Sequence, residues 1–142
     1  MSKKRKVLVS ACLLGENCKY NGGNNYSEAV AQFVQGREVV SVCPERLAGL
    51  GIPRTPIEIR GDRVISQTGE DVTDKLKTAV QEILSQIVGE DIECAVLKSR
   101  SPTCGVRQVY DGSFTGTLKA GSGVLAKALA DSGLQVIDAE EM

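Results

Sequence analysis

The sequence predicts an α/β fold: a single domain over residues 1–142 with a mostly parallel sheet flanked by helices, Rossmann-like or flavodoxin-like in type, plus a small β-hairpin excursion. Three observations carry this expectation. Short apolar runs rich in β-branched residues alternate with segments of helical periodicity, glycine and proline punctuate the joints, and the apolar runs are near-continuous, as strands buried on both faces require. A chain of 142 residues can bury most of its apolar surface around one core without disulfide support.

The elements follow in order. Val7-Leu-Val-Ser-Ala11 reads as a buried strand ending at Cys12. A loop rich in Gly and Asn comes next. Ser27 is a plausible N-cap for a helix over Glu28–Gln35, with Ala29, Val30, Phe33 and Val34 at helical spacing and Gly36 as its stop. Glu38–Val42 predicts a second buried strand, which stops at Cys43. From Pro44 to Pro56 the prolines and glycines permit no long element, so a loop of about a dozen residues is expected, and loops that long usually serve a site.

Ile57–Ile65 has the pattern of a hairpin around Gly61-Asp62, which makes the Arg-Gly-Asp tripeptide a turn rather than an adhesion motif. Thr73–Val88 predicts a long amphipathic helix with Leu76, Val80, Ile83, Leu84 and Ile87 on one face. Cys94-Ala-Val-Leu-Lys98 is a third buried strand, leading into the turn-rich Ser99–Gly105, which carries Cys104. A last helix over Gly123–Ser132, closed by Gly133, and a strand over Leu134–Ile137 complete the pattern.

Composition narrows the function classes. Lys plus Arg number 17 against 18 Asp plus Glu, so no basic field is available for a phosphate backbone; DNA is excluded as a partner and RNA disfavoured relative to a small molecule. Lys3-Lys-Arg-Lys6 reads as a solvated tail. No apolar run reaches the roughly 20 residues needed to span a bilayer, and no secretory h-region precedes the first strand. The expected compartment is the cytoplasm, with no membrane partner. There, five cysteines are more plausibly metal ligands or catalytic thiols than a disulfide framework. The absence of histidine removes His-based triads and leaves thiolates, carboxylates, hydroxyls and lysines to do the chemistry.

In a parallel α/β sheet the C-terminal strand ends share one edge, and ligands bind in the crevice beyond it. Cys12, Cys43 and Cys104 each follow a predicted strand at or beyond that end, so they should converge although they are 31 and 61 residues apart in sequence. Three thiols without a fourth suit a 4Fe-4S cluster with one iron left open; a zinc ion with three thiolates, or three small buried side chains with no ligand, are the alternatives. Gly and Pro beside each cysteine favour a site. Cys94 starts its strand at the opposite end and is excluded, and Cys18, in the Gly15–Asn25 loop, reads as an exposed, dispensable thiol, with a redox-sensitive thiol or a substitute ligand as the alternatives. Glu45 is a candidate general base, or else a surface glutamate or one ion-paired with Arg46 or Arg54. Ser101 is a candidate hydrogen-bond donor or proton relay, or a turn cap. Lys98 could bind an anion, and Gly121-Ser-Gly123 is a weak candidate for phosphate.

Three motifs in this order, Ser10-Ala-Cys-Leu-Leu-Gly15 with Lys19-Tyr-Asn-Gly22, Cys43-Pro-Glu45 with Gly51-Ile-Pro-Arg-Thr-Pro-Ile-Glu58, and Leu97-Lys-Ser-Arg-Ser-Pro-Thr-Cys-Gly105, resemble the thiouracil desulfidases, formerly a family of unknown function. The resemblance covers nearly the whole chain. It implies an oxygen-sensitive 4Fe-4S cluster on Cys12, Cys43 and Cys104, with one iron open as a Lewis acid for a thiocarbonyl sulfur. It also implies Glu45 and Ser101 as catalytic groups, and exchange of the sulfur of a thiopyrimidine (thiouracil, thiouridine or its nucleotide) for oxygen with release of hydrogen sulfide. The family usually carries an Arg-Tyr-Asp-Gly-like stretch where this chain has Lys19-Tyr-Asn-Gly22, which removes a carboxylate at position 21 but keeps the turn. The rival reading is a non-catalytic iron–sulfur or zinc protein, or a sulfur carrier.

Overall fold

The computed structural model describes residues 5–51 and 53–142. Strands β1 (Lys6–Ser10), β2 (Glu38–Val42), β5 (Ile92–Leu97) and β8 (Val136–Asp138) form a four-stranded, all-parallel sheet in the order β2-β1-β5-β8. Two antiparallel hairpins stand outside it, β3 (Ile57–Arg60) with β4 (Arg63–Ser66) and β6 (Gln108–Tyr110) with β7 (Leu118–Ala120). The helices are α1 (Glu28–Phe33), the single-turn α2 (Pro44–Leu47), α3 (Thr73–Ile87) and α4 (Val124–Asp131). Among the described residues no helix is long and apolar enough to cross a membrane.

Strand alternation decides the layers. Leu8, Ala95 and Leu97 face one side and pack with Val80 and Ile83 of α3 and Leu125 and Leu129 of α4. Val7, Val9, Cys94 and Val96 face the other and pack with Val30 of α1. Leu8, Val7, Val9, Val96 and Leu97 have no exposed surface, so β1 and β5 form the double-sided centre that the apolar runs predicted. A third cluster, Ile57, Val64, Val72 and Leu76, seats the first hairpin on the start of α3.

The expected α/β architecture and the β3–β4 hairpin are present, and Gly61 makes that turn at φ +63°. Ser27 caps α1 by accepting from the Val30 amide at 3.3 Å. Four expectations are corrected. Strand β2 is an edge strand rather than a buried one: Val39 is 39 % exposed, because nothing pairs beyond it. The 44–56 segment opens with the helical turn α2, in which Pro44 stands at the first helical position, where its missing N–H costs nothing. The last strand starts two residues late, since the Leu134 amide is used by the Leu129 carbonyl in closing α4. Finally, Lys6 belongs to β1 and pairs with Glu38, and Arg5 pairs with Asp91, so this end is docked; Lys3 and Lys4 lie outside the described residues.

The sequence order of the sheet changes direction at β1, with β2 on one side and β5 on the other, which opens a crevice beyond their C-terminal ends. The Pro102–Gly105 turn is fixed at that crevice by α4. No side chain caps this helix; the Gly123, Val124 and Leu125 amides donate instead to the carbonyls of Gly105 (2.7 Å), Pro102 (3.0 Å) and Thr103 (2.8 Å). A Cβ on Gly123 would come within 2.4 Å of the Thr103 carbonyl carbon, so glycine alone permits this approach. The Gly121 and Gly123 amides, which could have been offered to a phosphate, are already committed to the Arg107 and Gly105 carbonyls.

Candidate active site

Each predicted ligand leaves a strand end. Strand β1 passes at Ala11–Leu14 into a 3-10 turn that carries Cys12, Cys43 follows β2 directly, and Cys104 closes the turn after β5. All three line one cavity of about 540 Å³, within the range of small-molecule sites, and Glu45 and Ser101 line it too. The five residues singled out in the sequence are therefore brought together. Cys94 does not join them, being mid-strand in β5 on the face toward α1, rather than at the start of that strand.

Cys18 overturns its expectation. It is 2 % exposed, lines the same cavity and stands against Cys43. The loop that carries it folds back over the strand ends: the Asn25 amide donates to the Cys12 carbonyl at 2.9 Å and the Ser27 amide to the Leu13 carbonyl at 2.9 Å. Burial, with the neighbouring Cys43 and Cys12, pushes the Cys18 thiol up to about 12. Burial also pushes Cys104 up to about 12, against the Ser10 and Thr103 hydroxyls, and raises Cys12 against its contacts with Asn25 and Lys98. Free thiolates are costly here without a cation.

Glu45 is held from two sides. Its Oε1 lies 3.5 Å from Nε of Arg54, whose side chain is 6 % exposed, and its Oε2 accepts from Thr103 Oγ1 at 3.4 Å. Arg54 Nε is close enough for charge attraction but has no hydrogen-bond partner; the other guanidinium nitrogens donate to the carbonyls of Gly51 (3.0 Å) and Cys18 (2.9 Å). Burial raises the Glu45 carboxyl above the usual range, opposed by Arg54 and Thr103. The base and ion-pair readings of Glu45 thus describe one buried carboxylate. Arg46 pairs with Glu16 instead.

Ser101 Oγ accepts two amides, from Thr103 and Cys104, each at 3.1 Å, so its turn-capping role is real. With both lone pairs engaged, its own proton is left to donate, and Thr103 Oγ1 is 3.0 Å away. A continuous line results: Ser101 to Thr103 to Glu45. Thr103, buried at 1 % exposure, and Arg54 as a site residue are what the sequence reading missed. Arg54 had surfaced there as a possible partner of Glu45, but its burial depends on loops distant in sequence. Lys98 lies on the cavity wall, its Nζ donates to the Ser99 carbonyl at 3.1 Å, and its backbone amide donates to Ser10 Oγ (3.0 Å), which stitches β1 to β5.

The donor set fits a 4Fe-4S cluster. Three cysteines from three strand ends face one cavity, and the raised proton affinity of Cys12 and Cys104 suits thiolates formed against metal. Among the described residues, no three of His, Cys, Asp and Glu stand grouped as for a single metal ion.

Comparison with known proteins agrees. The family model for 2-thiouracil desulfurase matches residues 7–141. The uncharacterized protein YbbK of Bacillus subtilis (strain 168) is 35 % identical over 146 residues, covering 96 % of this chain and 97 % of its own. A solved structure described as the 4Fe-4S-dependent thiouracil desulfidase TudS superposes with a TM-score of 0.89 at 35 % identity, over 98 % of this chain and 93 % of that one.

Proposed function

The chain belongs to the 2-thiouracil desulfurase family, and from that premise we propose that it is a 4Fe-4S-dependent desulfidase which exchanges the thiocarbonyl sulfur of a small thiopyrimidine for oxygen and releases hydrogen sulfide. The observation that carries this reading is the convergence of Cys12, Cys43 and Cys104 on one cavity beside the largely buried carboxylate of Glu45. One domain over residues 1–142 does the work, and its five free thiols support a reducing compartment, the cytoplasm.

Cys12, Cys43 and Cys104 would hold the cluster as thiolates. When bound, it supplies a Lewis acid for the thiocarbonyl sulfur, which makes the ring carbon more electrophilic. The chain's own groups handle water and protons. Glu45 Oε takes a proton from the water that attacks the ring carbon, and burial, by raising its proton affinity, makes it a stronger base than a surface glutamate. Arg54 keeps that carboxylate in place. Ser101 Oγ, with its lone pairs tied to the Thr103 and Cys104 amides, offers its proton to the departing sulfur and recovers one along the Thr103 line from Glu45. The sum is thiocarbonyl plus water giving carbonyl plus hydrogen sulfide, with no net oxidation.

The test is anaerobic reconstitution with iron and sulfide, metal analysis, and a sulfide-release assay on 2-thiouracil. We expect about four irons per chain, lost in Cys12→Ala, Cys43→Ala or Cys104→Ala, and sulfide release that Glu45→Gln abolishes while keeping its iron. Iron retained in all three cysteine variants would overturn the ligand assignment. A fully loaded protein that releases no sulfide would overturn the activity.

A further inference from the structure

The hairpin β6–β7 carries a feature that cluster binding does not explain. Phe114, in the loop between its strands, has φ +56°, a left-handed conformation that a bulky side chain adopts at a cost and that Gly or Asn adopts readily. The loop is pinned there by β3. One oxygen of the buried carboxylate of Glu58 accepts both the Gly112 amide (3.0 Å) and the Phe114 amide (3.1 Å), and the Arg60 guanidinium donates twice to the Gly112 carbonyl, at 2.7 and 3.2 Å. The backbone at Gly112 is pressed so close to β3 that a Cβ there would come within 2.8 Å of the Ile59 carbonyl oxygen. A strained residue held by this many groups is one whose placement matters.

What it places is an aromatic ring at the cavity. The chain has five aromatic side chains, and Phe114, Tyr110 and Tyr20 all line the cavity that holds Cys12, Cys43 and Cys104. The fully buried core contains none. Tyr110 is the last residue of β6, so two of the three come from the one hairpin. In a protein this poor in aromatics, their concentration at one cavity points to a ligand with a flat π face, and aromatic stacking is the usual way a protein holds a pyrimidine without reading its edge.

We propose that Phe114, clamped in its left-handed conformation by Glu58, is the stacking surface for the substrate's heteroaromatic ring and sets the preference for planar over puckered thiocarbonyl compounds. This rests on the desulfidase reading for the identity of the ring, and it assigns recognition to a hairpin that contributes no cluster ligand. Tyr110, from the same hairpin, also lines the cavity.

The experiment compares binding of uracil, the flat product ring, with 5,6-dihydrouracil, which has the same polar edge but a puckered ring, by calorimetry on the iron-loaded protein. The wild-type chain should bind uracil at least about ten-fold more tightly, the worth of one base–aromatic stack. Phe114→Leu should erase most of that difference with its iron content unchanged, and Phe114→Tyr should restore it. Phe114→Gly, which relieves the backbone strain, should lose the discrimination without lowering the melting temperature, an outcome that a merely structural role would not give. A wild-type protein blind to ring planarity, or a Phe114→Leu protein that still discriminates, overturns the proposal. Turnover is scored apart: planar preference without sulfide release would overturn the desulfidase reading and leave the stacking wall standing.

Discussion

Removing the cation beside Glu45 should be among the costliest single changes at this site. Arg54→Met keeps much of the side chain's apolar volume while deleting the guanidinium, leaving a carboxylate buried without its counter-charge. At 3.5 Å and an effective dielectric constant of about 20, the attraction lost is about 5 kcal/mol, and breaking one side of a buried pair typically costs about 3–5 kcal/mol. The donations to the Gly51 and Cys18 carbonyls go as well, at roughly 1 kcal/mol each. Urea unfolding of wild type, Arg54→Met, Glu45→Gln and the double variant measures the coupling directly. With a denaturant slope of about 2 kcal/mol per molar, the Arg54→Met midpoint should fall by about 2 M, and the double variant should recover a large part of that loss because no charge is left stranded. A midpoint shift below about 0.5 M, or a loss in Arg54→Met that is equally large in the Glu45→Gln background, would refute the argument that Arg54 is there to compensate Glu45.

Thr103→Val should lower the rate of sulfide release about ten-fold with little change in KM, and Thr103→Ser should restore most of it, since the hydroxyl rather than the methyl group joins Ser101 to Glu45; equal rates in Val and Ser variants would sink the relay. Gly123→Ala should be destabilised by about 3 kcal/mol or more in chemical denaturation, because the new methyl meets backbone that cannot yield, whereas Gly36→Ala, with open space but φ +79°, should cost about 1 kcal/mol. Asp71, bonded to Arg63 at 2.8 Å and to the Thr73 amide at 2.9 Å, has its carboxyl lowered from 3.8 to about 2. A depressed carboxyl favours the fold at pH above its unfolded value and loses that contribution as pH falls toward 2. The wild-type melting temperature should therefore fall more steeply between pH 4.5 and 2 than that of Asp71→Asn, and parallel curves would refute the linkage.

The parallel sheet and the three ligands were readable because one physical pattern announces both. An apolar, β-branched run such as Val7–Val9 can be satisfied only between two layers, and a cysteine after such a run falls on the edge where all parallel strands end. Even the misread strand β2 delivers Cys43 to the correct edge, since burial and strand direction are separate properties. Cys18 was not readable: its burial depends on Arg54, thirty-six residues on, donating to its carbonyl, and nothing local in a Gly- and Asn-rich loop announces that. Thr103 shows the same limit at shorter range. Its neighbours Ser101 and Cys104 carry recognisable chemistry, but its own hydroxyl gains meaning only when α2 brings Glu45 to within 3.4 Å across 58 residues of sequence.

These differences in legibility follow the division of the site itself. The ligand side stands on strand ends of the parallel sheet, where β1 and β5 are fully packed on both faces and the Cys104 turn is clamped by the start of α4. Packing there leaves little freedom, so the ligands cannot be moved without disturbing the core. The opposite side comes from antiparallel hairpins outside the sheet, tied together by the two amide bonds of Glu58 and the guanidinium of Arg60. Few core contacts depend on β6–β7, and its loop can vary while the sheet stays as it is. Substitutions confined to residues 110–116 should therefore change which ring is accepted while iron content stays constant, whereas substitutions at the strand ends should remove iron and activity together. If iron content and ring preference always moved together across such a series, the two halves would not be separable, and the division of labour drawn from this fold would be wrong.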